Sequence, residues 1–218
     1  MAKSSIKSFQ YWSEQDVRLM FNLTKLSVSP HLTNLLHAAI ELTDGEKKRL
    51  DKYRFRLLEM ANAWSEEDLK MYFIAHVLDM ADIGDTDKNY RFFFDQTIKG
   101  TVKGEIIGGS VDALLAKGYQ TPLAPFFFLK EYKAEKRRDT DPLGQLLAAM
   151  IVAENHNDHG ELMYGCYVIG RLWFFITFQN SSYSISRAYD ATQEDIYEIL
   201  VILRRIKILF ENKINIAA

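Results

Sequence analysis

The chain has 218 residues, 27 Lys and Arg against 29 Asp and Glu for a formal net charge of −2, and is 48% hydrophobic and 13% aromatic. That length suits one sizeable core with an appendage rather than two full domains, and the charge balance excludes a chain that coats nucleic acid by net charge, so phosphate binding must rest on local clusters. Four prolines and eleven glycines exclude a long low-complexity segment, and the single Cys166 excludes an intrachain disulfide and a Cys-based zinc site. With a polar start, Met-Ala-Lys-Ser-Ser, the lone cysteine leads to the expectation of a cytoplasmic protein. No stretch approaches the roughly 18 apolar residues of a membrane span.

The first sixty or so residues read as helices. Ser13-Glu14-Gln15-Asp16 caps a helix reaching about residue 26, and Pro30 breaks the chain before a second over 31–41. Thr43-Asp44-Gly45-Glu46 is a capping box opening a third to about residue 62, with Leu50, Tyr53, Leu57, Leu58 and Ala61 at helical spacing. "WSEQDVRLMF" from Trp12 is echoed by "WSEEDLKMYF" from Trp64; with no third copy this reads as two aromatic-anchored, Ser-capped helix starts rather than a repeat array. The helix over 65–80 carries Leu69, Phe73, His76, Val77 and Met80 on one face, where His76 reads as a core histidine.

Beyond an Asp- and Gly-rich loop over 82–87, strands are predicted over 92–102, 110–116 and 125–133, with turns at Gly108-Gly109 and Lys117-Gly118. Asp141-Pro142 starts a helix through "LGQLLAAMIVAE", an acceptor at the cap and proline at the first position. Strands over 162–169 and 172–179 meet at Gly170-Arg171, and Thr192 is the expected cap of a last helix burying Ile196, Ile199, Leu200, Leu203 and Ile206. The strands over 110–116 and 125–133 are apolar on both faces, so helices should cover both sides of the sheet. "ENHNDHGE" from Glu154, with His156, Asp158 and His159, reads as a polar helix exit rather than a metal site.

The segment "FFFLKEYKAEKRR" runs from an apolar strand into charge. Residues two apart on a strand point the same way, with Cα atoms roughly 6.5–7 Å apart, so Glu131 and Lys133 share a face. Asp112 lies between Val111 and Ala113-Leu114-Leu115, where a carboxylate is costly unless paired or bound to a cation. Side by side on adjacent strands, Asp112 and Glu131 would present two oxygen donors suited to Mg²⁺, which takes one or two carboxylates and keeps several waters. Lys133 adds a compact positive charge on a flexible stem.

An Asp in a strand after a glycine pair, then Glu131-Tyr132-Lys133 ending the next strand, then a helix with an early Gln145, resembles the PD-(D/E)XK nuclease superfamily over about residues 64–180. The chain departs from the family's pattern in lacking a Pro before Asp112 and in carrying Ala149 and Met150 where a Tyr often follows the Gln. The resemblance implies an α/β restriction-endonuclease-like core over 63–218, helix–strands–helix–strands around a mixed sheet flanked by helices, behind an N-terminal helical extension over 1–62. It implies Mg²⁺-dependent hydrolysis of phosphodiester bonds, foremost in DNA, with Mn²⁺ able to substitute. Asp112, Glu131 and the carbonyl of Tyr132 would hold the metal, Lys133 would be the catalytic lysine, and Gln145 would support the site. The first helix usually adds an acid; Glu66, which falls on the side of Leu69, Phe73 and Val77, is preferred, with Glu67, which points away, in reserve. The alternative is a nuclease-like module that docks to nucleic acid or protein without turnover. Lys48, Lys52 and Arg56, in line at i, i+4 spacing, are candidate phosphate contacts, as are Lys136 and Arg137 beside the site. A homodimer and a partner protein supplying specificity both fit this reading, and a membrane partner does not.

Overall fold

The computed structural model describes residues 6–134, 141–157 and 160–216. In chain order these form β1 (Lys7–Ser8), a 3₁₀ turn (Phe9–Tyr11), α1 (Glu14–Phe21), β2 (Thr24–Lys25), α2 (Pro30–Leu36) and α3 (Asp44–Met60). One longer helix follows, made of α4 (Glu66–Leu69), a π-helical turn (Lys70–Ile74) and α5 (Ala75–Ala81). Then come β3 (Gly84–Asp85), β4 (Tyr90–Val102), β5 (Glu105–Lys117), β6 (Leu123–Lys133), α6 (Pro142–His156), β7 (Met163–Ile169), β8 (Leu172–Gln179), β9 (Ser182–Ile185), β10 (Tyr189–Asp190) and α7 (Asp195–Ile216).

Helix starts follow the caps that the sequence supplies. The side chains of Ser13, Thr43 and Ser65 each accept from the backbone N–H three residues on, and their own backbone N–H groups donate to the carboxylates of Asp16, Glu46 and Asp68. The two Trp-anchored segments are therefore two capped helix starts. The strands form one mixed sheet in the order β2-β9-β8-β7-β6-β5-β4-β3, with β1 beside β5 and β10 beside β8. β6 and β7 are parallel, as their connection through α6 requires, while β4–β5, β5–β6 and β7–β8 are antiparallel.

A core lies on each face, as the doubly apolar strands predict. One joins α6 to Phe9, Trp12, Val17 and Phe21 from the N-terminal segment and to Val111, Leu114 and Ala116 of β5. The other packs α7 against Leu50 and Leu57 of α3, Phe73 and Val77 of the 66–81 helix, and Ala113 and Leu115 of β5. The N-terminal 60 residues thus contribute to both cores and supply two edge strands, β1 parallel to β5 and β2 parallel to β9. Among the described residues, no helix is long and apolar enough to cross a membrane.

Three local expectations are corrected. Gly108-Gly109 is not a turn: β5 runs through it, and the β4–β5 hairpin turns at Lys103-Gly104, both with positive φ. The pair instead permits close approach, since a Cβ on Gly109 would lie 2.8 Å from the Phe9 ring. The second helix ends at Leu36 rather than near Glu41. Thr192 donates to Asp190 in a loop turn, and α7 begins three residues later at Asp195.

Asp141 ties the start of α6 to that of α1. One oxygen accepts from Leu143 and Gly144 N–H at 3.0 Å, and the other accepts from Glu14 N–H at 2.7 Å. Gly144 makes this possible, because a Cβ there would lie 2.3 Å from the Trp12 carbonyl oxygen. Gly144→Ala should therefore destabilise the fold by about 1–3 kcal/mol in urea unfolding through overpacking. Helix propensity alone predicts about 1 kcal/mol of stabilisation, so a more stable variant would refute the close approach.

Across the other face, Arg204 of α7 pairs with Glu46 and also donates to the Met80 carbonyl at 3.0 Å. The Arg204 bond, with those from Thr43, lowers the Glu46 carboxyl to about 2. A carboxyl depressed on folding stabilises above its unfolded value and loses that contribution as pH falls through its folded one. Glu46→Gln should thus lower the melting temperature at pH 6, and the gap from the native protein should close as pH falls from about 4.5 toward about 2. An equal gap at pH 6 and pH 2.5 would show that the charge is not responsible.

Candidate functional site

The β4–β5 ladder keeps one register throughout and is interrupted only at Asp112. It pairs Phe94 with Ala113 and Gln96 with Val111 but leaves out Asp95 and Asp112 between them, and Asp95 has a φ of 49°. Val111 and Ala113, two residues apart, face opposite cores. On a regular strand they would share a face, so β5 rotates through Asp112. The β5–β6 pairing ends at Ala113–Lys130, freeing the N–H of Tyr132 to turn to a side chain.

Asp112 takes that bond: Tyr132 N–H donates to Oδ2 at 2.8 Å. The other oxygen, Oδ1, lies 2.9 Å from Nζ of Lys70, where α4 passes into the π-helical turn. The Lys70 ammonium also lies 3.3 Å from Glu66 Oε1 and 3.2 Å from Glu67 Oε1. Glu66 reaches on with Oε2 to Nζ of Lys133, 3.6 Å away. A chain of alternating charge, Asp112–Lys70–Glu66–Lys133, thus joins β5, the start of the 66–81 helix and the end of β6. Ser65 fixes that start by its reciprocal cap with Asp68. Burial works against the charge on Lys70, but its bond to Asp112 and the nearby Glu66 and Glu67 outweigh it, and its ammonium is held above the ordinary lysine range.

Beside this network opens a cleft of about 770 Å³ lined by Glu67, Lys70, Asp112 and Tyr132 together with Met71, Ile74, Phe92 and Phe94. Of the two helix acids, Glu66 is half-buried in the network, and Glu67 is 78% exposed at its edge. The backbone of Glu131 lies in β6 opposite Tyr167, but its side chain lies outside the described residues. Gln145 is buried in α6, and among the described residues no hydrogen bond joins its amide to the network. Lys48, Lys52 and Arg56 are exposed along α3, and Arg56 lies 4.6 Å over the Tyr72 ring. Lys136 and Arg137, like Asp158 and His159, lie outside the described residues. His156 bonds the Lys99 carbonyl at 2.9 Å, and His76 stacks on Tyr53 with centroids 4.5 Å apart.

Lys70 is the site residue that sequence reasoning missed. The signal was present, since Glu66 and Lys70 stand at i, i+4 on the helix face already singled out for Glu66. Among the described residues, no group of three or more His, Cys, Asp or Glu could hold a metal ion. The donors that are described do suit a hard cation: Asp112 Oδ1 and Glu66 Oε1, from different elements, already converge on one positive centre.

The architecture, a mixed sheet flanked by helices with an N-terminal helical region, is consistent with a restriction-endonuclease-like core. No model of a known protein family matches the chain, and no curated protein matches it. Among solved structures, a chain of the DrdV–DNA complex, determined by electron cryo-microscopy, is similar to 72% of this chain at 14% identity with a TM-score of 0.41. The match covers 14% of that chain's own length.

The network itself predicts a stability effect. Asp112→Ala takes the acceptor from the Tyr132 N–H and the nearest carboxylate from Lys70, which keeps Glu66 and Glu67, and should cost about 1–3 kcal/mol in denaturant unfolding with chelator present. Asp112→Asn keeps an acceptor oxygen and should lose less. An alanine variant as stable as the native protein would remove Asp112 from this role.

Proposed function

We propose that the chain is a divalent-metal-dependent nuclease that hydrolyses phosphodiester bonds, foremost in DNA. The observation that carries this reading is the convergence of Asp112 and Glu66 on one cationic centre near Lys133, next to a cleft that Asp112 and Lys70 line. Asp112 and Glu66 would hold Mg²⁺ or Mn²⁺, with Glu131 and the Tyr132 carbonyl as further donors. When bound, the ion would supply an acidified water and a counter-charge for phosphoryl oxygen.

The chain's own groups do the rest. The Tyr132 N–H orients Asp112 through Oδ2 and leaves Oδ1 facing inward. Glu66 holds the Lys133 ammonium at the site. There it offsets the negative charge that develops as water oxygen bonds to phosphorus and the bond to the leaving oxygen breaks. Lys48, Lys52 and Arg56 on exposed α3 would track the nucleic-acid backbone. Lys136 and Arg137 would extend that contact beside the site, and Gln145 would support it from α6.

A second reading, a nuclease-like docking module without turnover, is favoured by one feature. Lys70 already neutralises the carboxylates that a metal would need.

Lys133→Met, which keeps the apolar stem and removes the ammonium, tests the mechanism. Single-turnover cleavage of DNA and RNA substrates in Mg²⁺ or Mn²⁺ should fall by about a hundredfold, the scale of one lost electrostatic stabiliser, and neither protein should cleave in EDTA. DNA affinity in Ca²⁺ should change little. Cleavage by the variant at the native rate would refute the role of Lys133, and no metal-dependent cleavage by the native chain would favour the docking module.

A further inference from the structure

The position of Lys70 bears on how the site takes up its cation. An ammonium has three N–H donors, and Lys70 faces three carboxylates, with Asp112 Oδ1, Glu66 Oε1 and Glu67 Oε1 at 2.9, 3.3 and 3.2 Å. The second oxygen of Asp112 is committed to the Tyr132 N–H. Glu66 Oε2 faces Lys133 instead, so a divalent ion held by the two converging oxygens, Asp112 Oδ1 and Glu66 Oε1, takes the place that Lys70 now occupies. Two positive centres at that separation repel strongly in a half-buried site.

Lys70 also has somewhere to go. Its flexible stem lines the cleft, and Glu67, already within contact distance, is mostly exposed on the cleft side. The residue lies at the first position of the π-helical turn, a local helix irregularity of a kind frequent at functional sites.

We propose that Lys70 is a built-in competitor of the divalent cation, occupying the metal position in the free protein and swinging toward Glu67 and the cleft when the ion enters. This rests on the metal-dependent reading above and adds to it a resident charge that holds the acids together and weakens metal uptake. Removing the ammonium then strengthens metal binding, which is opposite to what a residue that only props up the site would do.

The test is Mn²⁺ titration by calorimetry, without nucleic acid, on the native chain, Lys70→Met, Lys70→Gln, Asp112→Asn and the Lys70→Met/Asp112→Asn double variant. Circular dichroism establishes folding, and Lys70→Gln serves if the methionine variant does not fold. The proposal expects at least about tenfold tighter binding on removing the ammonium, lost again when Asp112→Asn is added. Binding seen only once the lysine is removed, and dependent on Asp112, also supports it. Native binding that depends on Asp112 but is equal or weaker without Lys70 overturns the competitor and leaves the metal site standing. No Asp112-dependent binding in any folded variant overturns both.

Discussion

The site depends on how Asp112 is satisfied inside an apolar sheet. A carboxylate between Val111 and Ala113 is tolerable only if both oxygens are engaged, and two structural adjustments supply the partners. β5 rotates through Asp112 where its pairing with β4 lapses, and β6 peels from β5 just beyond Lys130, so that the Tyr132 N–H meets Oδ2. The 66–81 helix then delivers Lys70 to Oδ1. Glu66 follows from Lys70, and Lys133 from Glu66, so the network is built outward from one half-buried charge.

That network needs rigid support on both faces of the sheet. On one, α7 packs beneath the 66–81 helix and is cross-linked to α3 and α5 by Arg204. On the other, α6 fills the connection between parallel β6 and β7, and Asp141 and Gly144 clamp α1 against its start. The N-terminal segment takes part in both layers, and it shields the sheet by adding β1 to β5 and β2 to β9.

The arrangement of charge is what the proposed exchange of one cation for another rests on. Lys70, Glu66, Asp112 and Lys133 all keep part of their side chains exposed, between 17% and 23%, so the network is sheltered but not sealed. The adjoining cleft is largely apolar along Met71, Ile74, Phe92 and Phe94, with Phe94 more than half exposed.

Local rules read directly from the sequence determined the helix starts at Ser13, Thr43, Ser65 and Asp141, because a cap is a contact within three residues. Apolar runs between turn residues and two-sided hydrophobicity likewise pointed to the five long strands β4 to β8 and the helical layers on both faces, though not to the short strands β1, β2, β3, β9 and β10, and the unusual placing of Asp112 singled it out. Only the tertiary structure decided what lies far apart in the chain. It placed Lys70 against Asp112, and it used Gly108 and Gly109 for packing rather than turning. It also drew α1 onto α6 over Gly144 and ended the second helix at Leu36. The physical reason is the same in each case. A capping bond or an apolar period is written in neighbouring residues, whereas the partner of a buried charge, or the atom that a missing Cβ makes room for, is set by which surfaces the folded chain brings together.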